Sequence, residues 1–127
     1  IEQSGNTIVI TDTNGNIEYA NPRFEQTTGY SIAEALGNNL RMLKSDHQST
    51  DYYKQLWQTL SRGNIWRGEF LNKRKDGSLY WEAATIAPLL DQAGMITNFV
   101  AKAGDFRIGA VGGGGRIHIH RPQCLGA

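Results

Sequence analysis

At 127 residues, the chain is long enough for one compact domain with a modest core and too short for two independent ones. Residues 1–106 carry slightly more acids than bases, so no basic surface for a nucleic-acid partner is predicted. Apolar runs are short and no signal-peptide pattern opens the sequence, so membrane insertion is not expected. Cys124 has no partner for an internal disulfide, and we expect a soluble, cytoplasmic domain.

The first elements in chain order are two strands and a short helix. Residues 7–12 are rich in β-branched side chains with a period-two alternation, residues 14–16 favour a tight turn, and residues 17–21 resume the extended pattern. Asn21 stands before a proline, which is the arrangement of a helix cap followed by the first helical residue. The sequence therefore predicts a strand, a turn, a strand and a capped helix over about 22–28.

Two further helices are predicted before the chain returns to strands. Ser31 and Glu34 have the spacing of a capping box, which begins a helix over about 32–36. Residues 49–60 contain the longest helical pattern, with an apolar stripe formed by Tyr52, Tyr53, Leu56, Trp57 and Leu60.

The second half of the chain predicts three longer strands. Extended segments at 65–75, 78–90 and 95–106 are separated by turn residues at 76–77 and 91–94. Strands joined by tight turns form an antiparallel meander. The order of elements therefore predicts an α+β fold, with a five-stranded antiparallel sheet that has short helices covering one face.

The C-terminal segment, residues 107–127, does not continue this pattern. It holds four consecutive glycines and has no apolar periodicity, so we expect a disordered tail, or one that derives from a vector. His118 and His120 are two imidazoles where a structural metal site needs about four ligands, so no metal is predicted. The glycine run also lacks the Gly-Lys-Ser/Thr ending of a phosphate-binding loop.

Two motifs resemble the PAS family of sensory domains. The first half of such domains is similar to the string Asp12-x-x-Gly15-x-Ile17-x-Tyr19-x-Asn21-x-x-Phe24-x-x-x-Thr28-Gly29-Tyr30. Their second hairpin is similar to Arg74-Lys75-Asp76-Gly77-Ser78-x-Tyr80-Trp81. Both motifs occur in the family's order and spacing, and this makes the resemblance specific.

The resemblance implies a sheet in the strand order 2-1-5-4-3 around a central pocket. We expect residues 6–106 to be the PAS domain and residues 1–5 to be the remnant of an N-terminal cap. Such modules regulate an attached effector, commonly a histidine kinase or a diguanylate cyclase. PAS pockets hold flavin, haem, small acids or no ligand, so the pocket residues decide which applies.

Two kinds of PAS chemistry are disfavoured by single residues. The light-oxygen-voltage class is similar through residues 37–43, but it has a cysteine where this chain has Leu40, so a flavin–cysteine adduct cannot form. That class also places a glutamine at the position of Ala103. Haem-binding PAS domains take a histidine on the long helix, whereas His47 precedes that helix and is expected to be a surface or capping residue.

The redox-sensing flavin PAS domains of bacterial signalling proteins resemble this chain most closely. Alternate residues of a strand share a face, so Trp66, Gly68, Phe70 and Asn72 point the same way. In that class the counterpart of Trp66 lies against the flavin, and the counterpart of Asn72 bonds its pyrimidine edge. The turn at 76–77 is expected to place Glu82 roughly opposite Asn72 on the neighbouring strand, where an apolar pocket would raise its pKa. The predicted FAD-binding residues are Trp66, Phe70, Asn72, Glu82 and Ile86.

Packing roles compete with these assignments. Trp57 is expected to pack in the core, and Trp66 and Trp81 are common strand residues that can pack or line a dimer face. Asp105 resembles the acid that ends the family's last strand and is expected to pair with Arg74.

Two functions stay open at this stage. One is a redox or oxygen sensor that binds FAD, and the other is a cofactor-free module for homodimerisation and signal transmission. The sequence shows no nucleophile–base set, so we do not expect the domain to be an enzyme.

Overall fold

The structure, a computed structural model, describes residues 5–105. The tail prediction for 107–127 and most of the remnant at 1–5 lie outside these residues. Within them, the elements in chain order are β1 (Thr7–Thr11), β2 (Ile17–Ala20), α1 (Pro22–Thr28), α2 (Ile32–Ala35), a 3-10 helix (Leu40–Leu43), α3 (Thr50–Ser61), β3 (Trp66–Lys73), β4 (Leu79–Leu90) and β5 (Ile96–Asp105).

The strands form one antiparallel sheet of five strands in the order β2-β1-β5-β4-β3. This confirms the predicted fold class and strand order. The first and last strands of the chain meet at the centre, where Val9 pairs with Ala101. The helices lie between β2 and β3 in sequence, and they pack against the face of the sheet that carries the odd-numbered residues of β1 and β5.

An aspartate organises each of two hairpin turns. Asp12 Oδ1 accepts hydrogen bonds from the backbone N–H groups of Asn14 (2.8 Å) and Asn16 (2.9 Å). Asp91 Oδ1 accepts from the backbone of the residues two and four positions later, in the same pattern. The bond from the Asn16 backbone is the largest of the effects that lower the pKa of Asp12. Gly15, at φ 89°, provides the left-handed residue that this turn requires.

Asn21 does not cap helix α1 with its side chain, which corrects the prediction from the Asn-Pro pair. Its Oδ1 instead accepts from the N–H of Ile8 at 3.0 Å, and its Nδ2 donates to the carbonyl of Asn6 at 3.0 Å. Asn21 is only 2% exposed, and an amide can serve a strand as donor and acceptor at once. The side chain therefore ties the start of α1 to β1.

Helices α2 and α3 begin as predicted. Ser31 and Glu34 make both bonds of a capping box, and the Ser49 hydroxyl accepts from the backbone of Tyr52 at the start of α3. The 3-10 helix between them was not predicted. It begins where the Asn39 side chain accepts from the backbone N–H of Arg41.

The buried apolar residues form two clusters. The first joins β1 and β2 to α1, α2 and the 3-10 helix, and consists of Val9, Ile17, Ala20, Phe24, Ala35 and Leu43. The second joins α3 to β3, β4 and β5, and consists of Leu56, Leu60, Trp66, Ala84, Phe99 and Ala103. Residues of both clusters face the same interior space, which leaves room for a cavity between them.

Candidate functional site

A cavity of about 470 Å³ is enclosed by the sheet, helix α3 and the 3-10 helix. Its walls draw on both core clusters and include Val9, Phe24, Leu56, Phe99 and Ala103. Small-molecule sites typically have volumes of about 300–1,000 Å³ and are lined mainly by apolar side chains with a few polar groups. The cavity therefore has the size and the lining of a ligand site.

Two buried polar side chains, Asn72 on β3 and Glu82 on β4, line this cavity, and we call them the polar pair. Asn72 is 8% exposed and Glu82 is 7% exposed. The Nδ2 group of Asn72 donates a hydrogen bond of 3.0 Å to Oε1 of Glu82. That bond uses one of the two amide hydrogens, and the amide also has a carbonyl oxygen. The polar pair can therefore present both donors and acceptors to a ligand.

The register between β3 and β4 corrects one expectation. Glu82 lies opposite Phe70, and Tyr80 lies opposite Asn72, so the predicted pairing of Glu82 with Asn72 is wrong by two residues. The connection between the two strands has five residues, 74–78, and it sets this register. A shift of two positions keeps a side chain on the same face, and the polar pair therefore still meets diagonally.

Of the five predicted cofactor residues, four line the cavity: Phe70, Asn72, Glu82 and Ile86. Trp66 points the same way but lies behind them. Its indole is 3% exposed, its Nε1 donates to Oε1 of Gln55 at 3.0 Å, and its ring centre is 5.2 Å from that of Phe70. A side chain at Gly68 would meet the Trp66 indole. Trp66 therefore supports Phe70 from outside the cavity lining.

An aromatic wall leads from the polar pair along α3. Tyr53 stacks on Phe70 with 6.0 Å between ring centroids and 20° between planes. The ammonium of Lys44 lies 4.1 Å from the centre of the Tyr53 ring, a cation–π distance. Burial, followed by the charges of Tyr52 and Asp46, raises the pKa of Tyr53 to about 12. Tyr53 is therefore a neutral, flat surface at ordinary pH.

The lining residues that are exposed define the mouth of the cavity. They are Thr13, Asn14, Arg41, Lys44 and Trp57. Sequence reasoning missed the two cations, although both lie in or beside the segment 37–43 that resembles a flavin-binding class. It also assigned Trp57 to the core, whereas Trp57 is 45% exposed and rests edge-on against Phe99 at 5.4 Å. The apolar stripe of α3 is wider than the part of it that is buried, and Trp57 lies at the exposed edge of this stripe.

The residues used to disfavour other PAS chemistries have defined positions. Leu40 and Ala103 both line the cavity, so neither a thiol nor an amide is present there. His47 is exposed, and its ring lies edge-on to Trp81 with 5.3 Å between centroids. Helix α3, which forms a wall of the cavity, contains no histidine.

Tyr80 and Arg74 lie next to the polar pair. Burial raises the pKa of Tyr80, and the charge of Glu82 adds to this effect. The Tyr80 hydroxyl lies near Asn72 but makes no hydrogen bond of good geometry. The Arg74 guanidinium stacks over the Tyr80 ring at 4.5 Å and donates to the carbonyl of Thr27 at 3.0 Å. The side chain of Asp105 lies outside the described part, so its pairing with Arg74 stays a prediction.

Two searches of residues 5–105 gave negative findings. No group of three or more His, Cys, Asp or Glu side chains is arranged to hold a metal ion there. Within the same residues, no helix has the length and apolar character that a membrane crossing requires.

This fold and pocket match a known family. The PAS domain model matches residues 5–102, and the chain belongs to that family. A nitrogen fixation regulatory protein of Klebsiella oxytoca is 39% identical over 85% of this chain and 22% of its own length. The aerotaxis receptor of Escherichia coli is 32% identical over 80% of this chain and 20% of its own.

Solved structures show the same likeness. A light-oxygen-voltage domain, studied with a flavin analogue, superposes with a TM-score of 0.72 at 32% identity, covering 80% of this chain and 77% of that one. The chain spans about a fifth of the length of the two regulatory relatives. It therefore corresponds to a sensory PAS domain of the kind that occurs within larger signalling proteins.

Proposed function

We propose that this chain is the sensory domain of a bacterial signalling protein and that it responds to redox state or oxygen through bound FAD. The observation that carries the proposal is the polar pair, which is buried in the wall of a mainly apolar cavity. Ligand sites are lined mainly by apolar side chains with a few polar groups that orient the ligand, and the polar pair supplies such groups here. In this proposal the domain is cytoplasmic, it is not an enzyme, and its output belongs to an attached effector such as a histidine kinase or a diguanylate cyclase.

The residues present suit a flavin ring. The pyrimidine end of that ring alternates carbonyl acceptors with an N–H donor, and an amide beside a carboxyl group can complement both. The flat, neutral surfaces of Phe70 and Tyr53 adjoin the polar pair and suit the apolar body of the ring. Asn72 and Glu82 would hold the polar edge, and Phe70 and Ile86 would contact the rings.

The mouth suits the phosphates of the cofactor. Arg41 and Lys44 are exposed at the cavity lining, and cations at the rim attract an anionic chain while leaving it partly hydrated. A neutral ligand would not need them. The cations therefore favour a flavin nucleotide over an uncharged ligand of similar shape.

Glu82 is the group that would couple chemistry to the fold. A flavin, when bound, supplies a ring that takes up electrons and protons reversibly. The Glu82 carboxyl can hold or release a proton at its oxygens, and any such change alters its bond with Asn72. On the other side, Glu82 pairs in register with Asp105, the last residue of β5, where the described chain leads towards its C-terminal segment. A change at Glu82 would therefore act on the strand that exits the domain.

The test is an absorption spectrum of the purified protein after incubation with excess FAD and desalting. We expect retained flavin bands at about one FAD per chain. Asn72→Ala should weaken FAD binding by about five- to hundredfold, because buried polar groups lose their partner. Asn64→Ala, which removes an exposed amide outside the cavity, is the matched control and should bind FAD normally. A bare protein spectrum after reconstitution would refute the flavin proposal.

The outer face of the sheet supports the second candidate, a cofactor-free dimerisation module. Ile8, Ile10 and Val100 lie on the face opposite the cavity, where Ile10 pairs with Val100 and with Tyr19. Leu89 and Tyr19 on this face are 41% and 46% exposed. Sedimentation of the ligand-free protein tests it: a homodimer that Ile10→Lys dissociates is expected, and a monomer at all concentrations would refute it.

A further inference from the structure

Trp57 stands out among the lining residues of the cavity. It is 45% exposed, although it lines the cavity and contacts Phe99 inside it. A large aromatic ring with one face in a pocket and the other in water is suited to stacking against a flat ligand group that leaves the pocket. The packing of the core does not require this position, because the neighbouring helix residues Leu56 and Leu60 provide the buried contacts.

Burial separates the polar pair from Trp57. Asn72 and Glu82 are 8% and 7% exposed, whereas Trp57 is 45% exposed and lies at the mouth of the cavity. A flavin ring whose polar edge is held by the buried pair would therefore leave the exposed face of Trp57 to a part of the ligand that reaches the mouth.

The side chains between these two ends follow a definite order. Phe70 lies opposite Glu82, Tyr53 stacks on Phe70, and Lys44 lies on the Tyr53 ring. Trp57 follows Tyr53 by four residues on α3, and residues at that spacing lie on the same side of a helix, one turn apart. From the buried residues outward, the order is the polar pair, the aromatic wall, and then the mouth, where Lys44 and Trp57 are both exposed.

From this order we propose that Trp57 is the adenine subsite of the cavity and selects FAD over FMN. The inference rests on the proposed flavin function. The ring system occupies the aromatic wall, the diphosphate lies near Lys44, and the adenine stacks on the exposed indole of Trp57. FMN ends at its phosphate and does not reach this surface. Trp57 is then a specificity-determining residue for the dinucleotide.

The experiment compares FAD and FMN titrations, followed by flavin absorbance, for the wild type, Trp57→Ala and Trp57→Phe. Stacking of a base on an aromatic side chain predicts that Trp57→Ala weakens FAD binding by about ten- to hundredfold and leaves FMN binding within about twofold. Trp57→Phe keeps a flat ring and should retain most of the FAD affinity. Trp81→Ala, on the opposite face of the sheet, controls for loss of a tryptophan.

The outcomes distinguish failure of the adenine subsite from failure of the flavin function. Equal weakening of FAD and FMN by Trp57→Ala would mean that Trp57 only shapes the wall through Phe99, and this overturns the adenine subsite while the flavin function stands. If the wild type binds FAD and FMN with equal affinity, and Trp57→Ala leaves both affinities unchanged, the adenine subsite is also overturned and the flavin function stands. Binding of neither flavin by the folded wild type would overturn the flavin function, and the subsite with it.

Discussion

At the scale of single residues, the cavity depends on side chains whose protonation and hydrogen bonds are fixed by burial. Tyr53 is the clearest case, because burial raises its pKa to about 12 from an ordinary value near 10. The folded state therefore keeps the Tyr53 proton at pH values where the unfolded chain has released it. The contribution of this neutral Tyr53 side chain to the free energy of unfolding is complete below about pH 10 and is lost as the pH rises towards 12.

Tyr53→Phe tests this linkage. Phenylalanine does not titrate, so the free energy of unfolding of the variant should fall less steeply between about pH 10 and 12 than that of the wild type. Urea denaturation at several pH values in this window measures the two slopes. The same slope for Tyr53→Phe and the wild type would contradict the assignment.

Residue patterns predicted only part of the site. Period-two alternation on β3 correctly placed Phe70 and Asn72 on one face of the sheet, because the side-chain period of a strand is independent of its partners, and the structure shows that this is the cavity face. The diagonal contact of Asn72 with Glu82 could not be derived, since it depends on the length of the 74–78 connection. The mouth cations were missed because a Lys or Arg in a loop gives no periodic signal.

At the scale of elements, side chains complete the hydrogen bonding of the strands. Asn21, which lies between β2 and α1, does this for β1: its side-chain Oδ1 accepts a hydrogen bond from the backbone N–H of Ile8. Asn21→Ala would leave that buried N–H without its acceptor and should lower the free energy of unfolding by about 1–3 kcal/mol. Urea denaturation measures the loss. Asn64→Ala removes an exposed amide and should change stability by less than about 0.5 kcal/mol. A similar, small change in both variants would show that Asn21 is not a structural tie.

The edge strand β3 is completed in the same way. The Tyr52 hydroxyl donates to the carbonyl of Glu69 at 2.6 Å and accepts from its N–H at 3.1 Å. The carbonyl of Leu71 accepts from the Ser45 hydroxyl. These contacts occupy backbone groups that an edge strand would otherwise offer to another chain. Pairing of two copies through the β3 edge is therefore disfavoured.

Tyr52→Phe tests the protection of this edge. Removing the hydroxyl leaves two backbone groups of Glu69 unpaired, and the free energy of unfolding should fall by about 1–3 kcal/mol. Thermal or urea unfolding measures the change, and Tyr19→Phe is the matched control that removes an exposed hydroxyl. A variant as stable as the control would mean that water replaces the Tyr52 bonds at no cost.

The elements themselves were largely predictable, and their unpredicted parts share a cause. Strand alternation and the Ser31–Glu34 capping box are local signals, and both were confirmed. The 3-10 helix and the role of Asn21 depend on contacts with segments distant in sequence, such as the hydrogen bond from the Leu40 N–H to the Gly15 carbonyl at 2.9 Å. Local propensity does not contain such contacts.

At the scale of the whole molecule, the core is divided into two parts with a cavity between them. Two apolar clusters share the interior with a cavity of about 470 Å³. A cavity left without atoms to contact costs stability, and a ligand that fills it restores packing. Binding and stability should therefore be linked in this domain.

FAD should raise the unfolding temperature of the protein. At a free concentration about one hundred times its Kd, a ligand that binds only the folded state adds about 2.7 kcal/mol. Calorimetry over a series of FAD concentrations measures the shift, and Asn72→Ala should need more FAD for the same shift. An unfolding temperature that does not depend on FAD would contradict binding to the folded cavity.

The most direct test of the central claim, that the polar pair holds the pyrimidine edge of FAD, is an infrared measurement of the ring carbonyl stretches in the reconstituted protein. Labelling of the ring carbonyl carbons assigns the bands. We predict that a carbonyl band of oxidised FAD lies at lower frequency in the wild type than in Asn72→Ala, because a hydrogen bond from the amide weakens the carbonyl bond. Identical carbonyl frequencies in the two proteins would contradict the account.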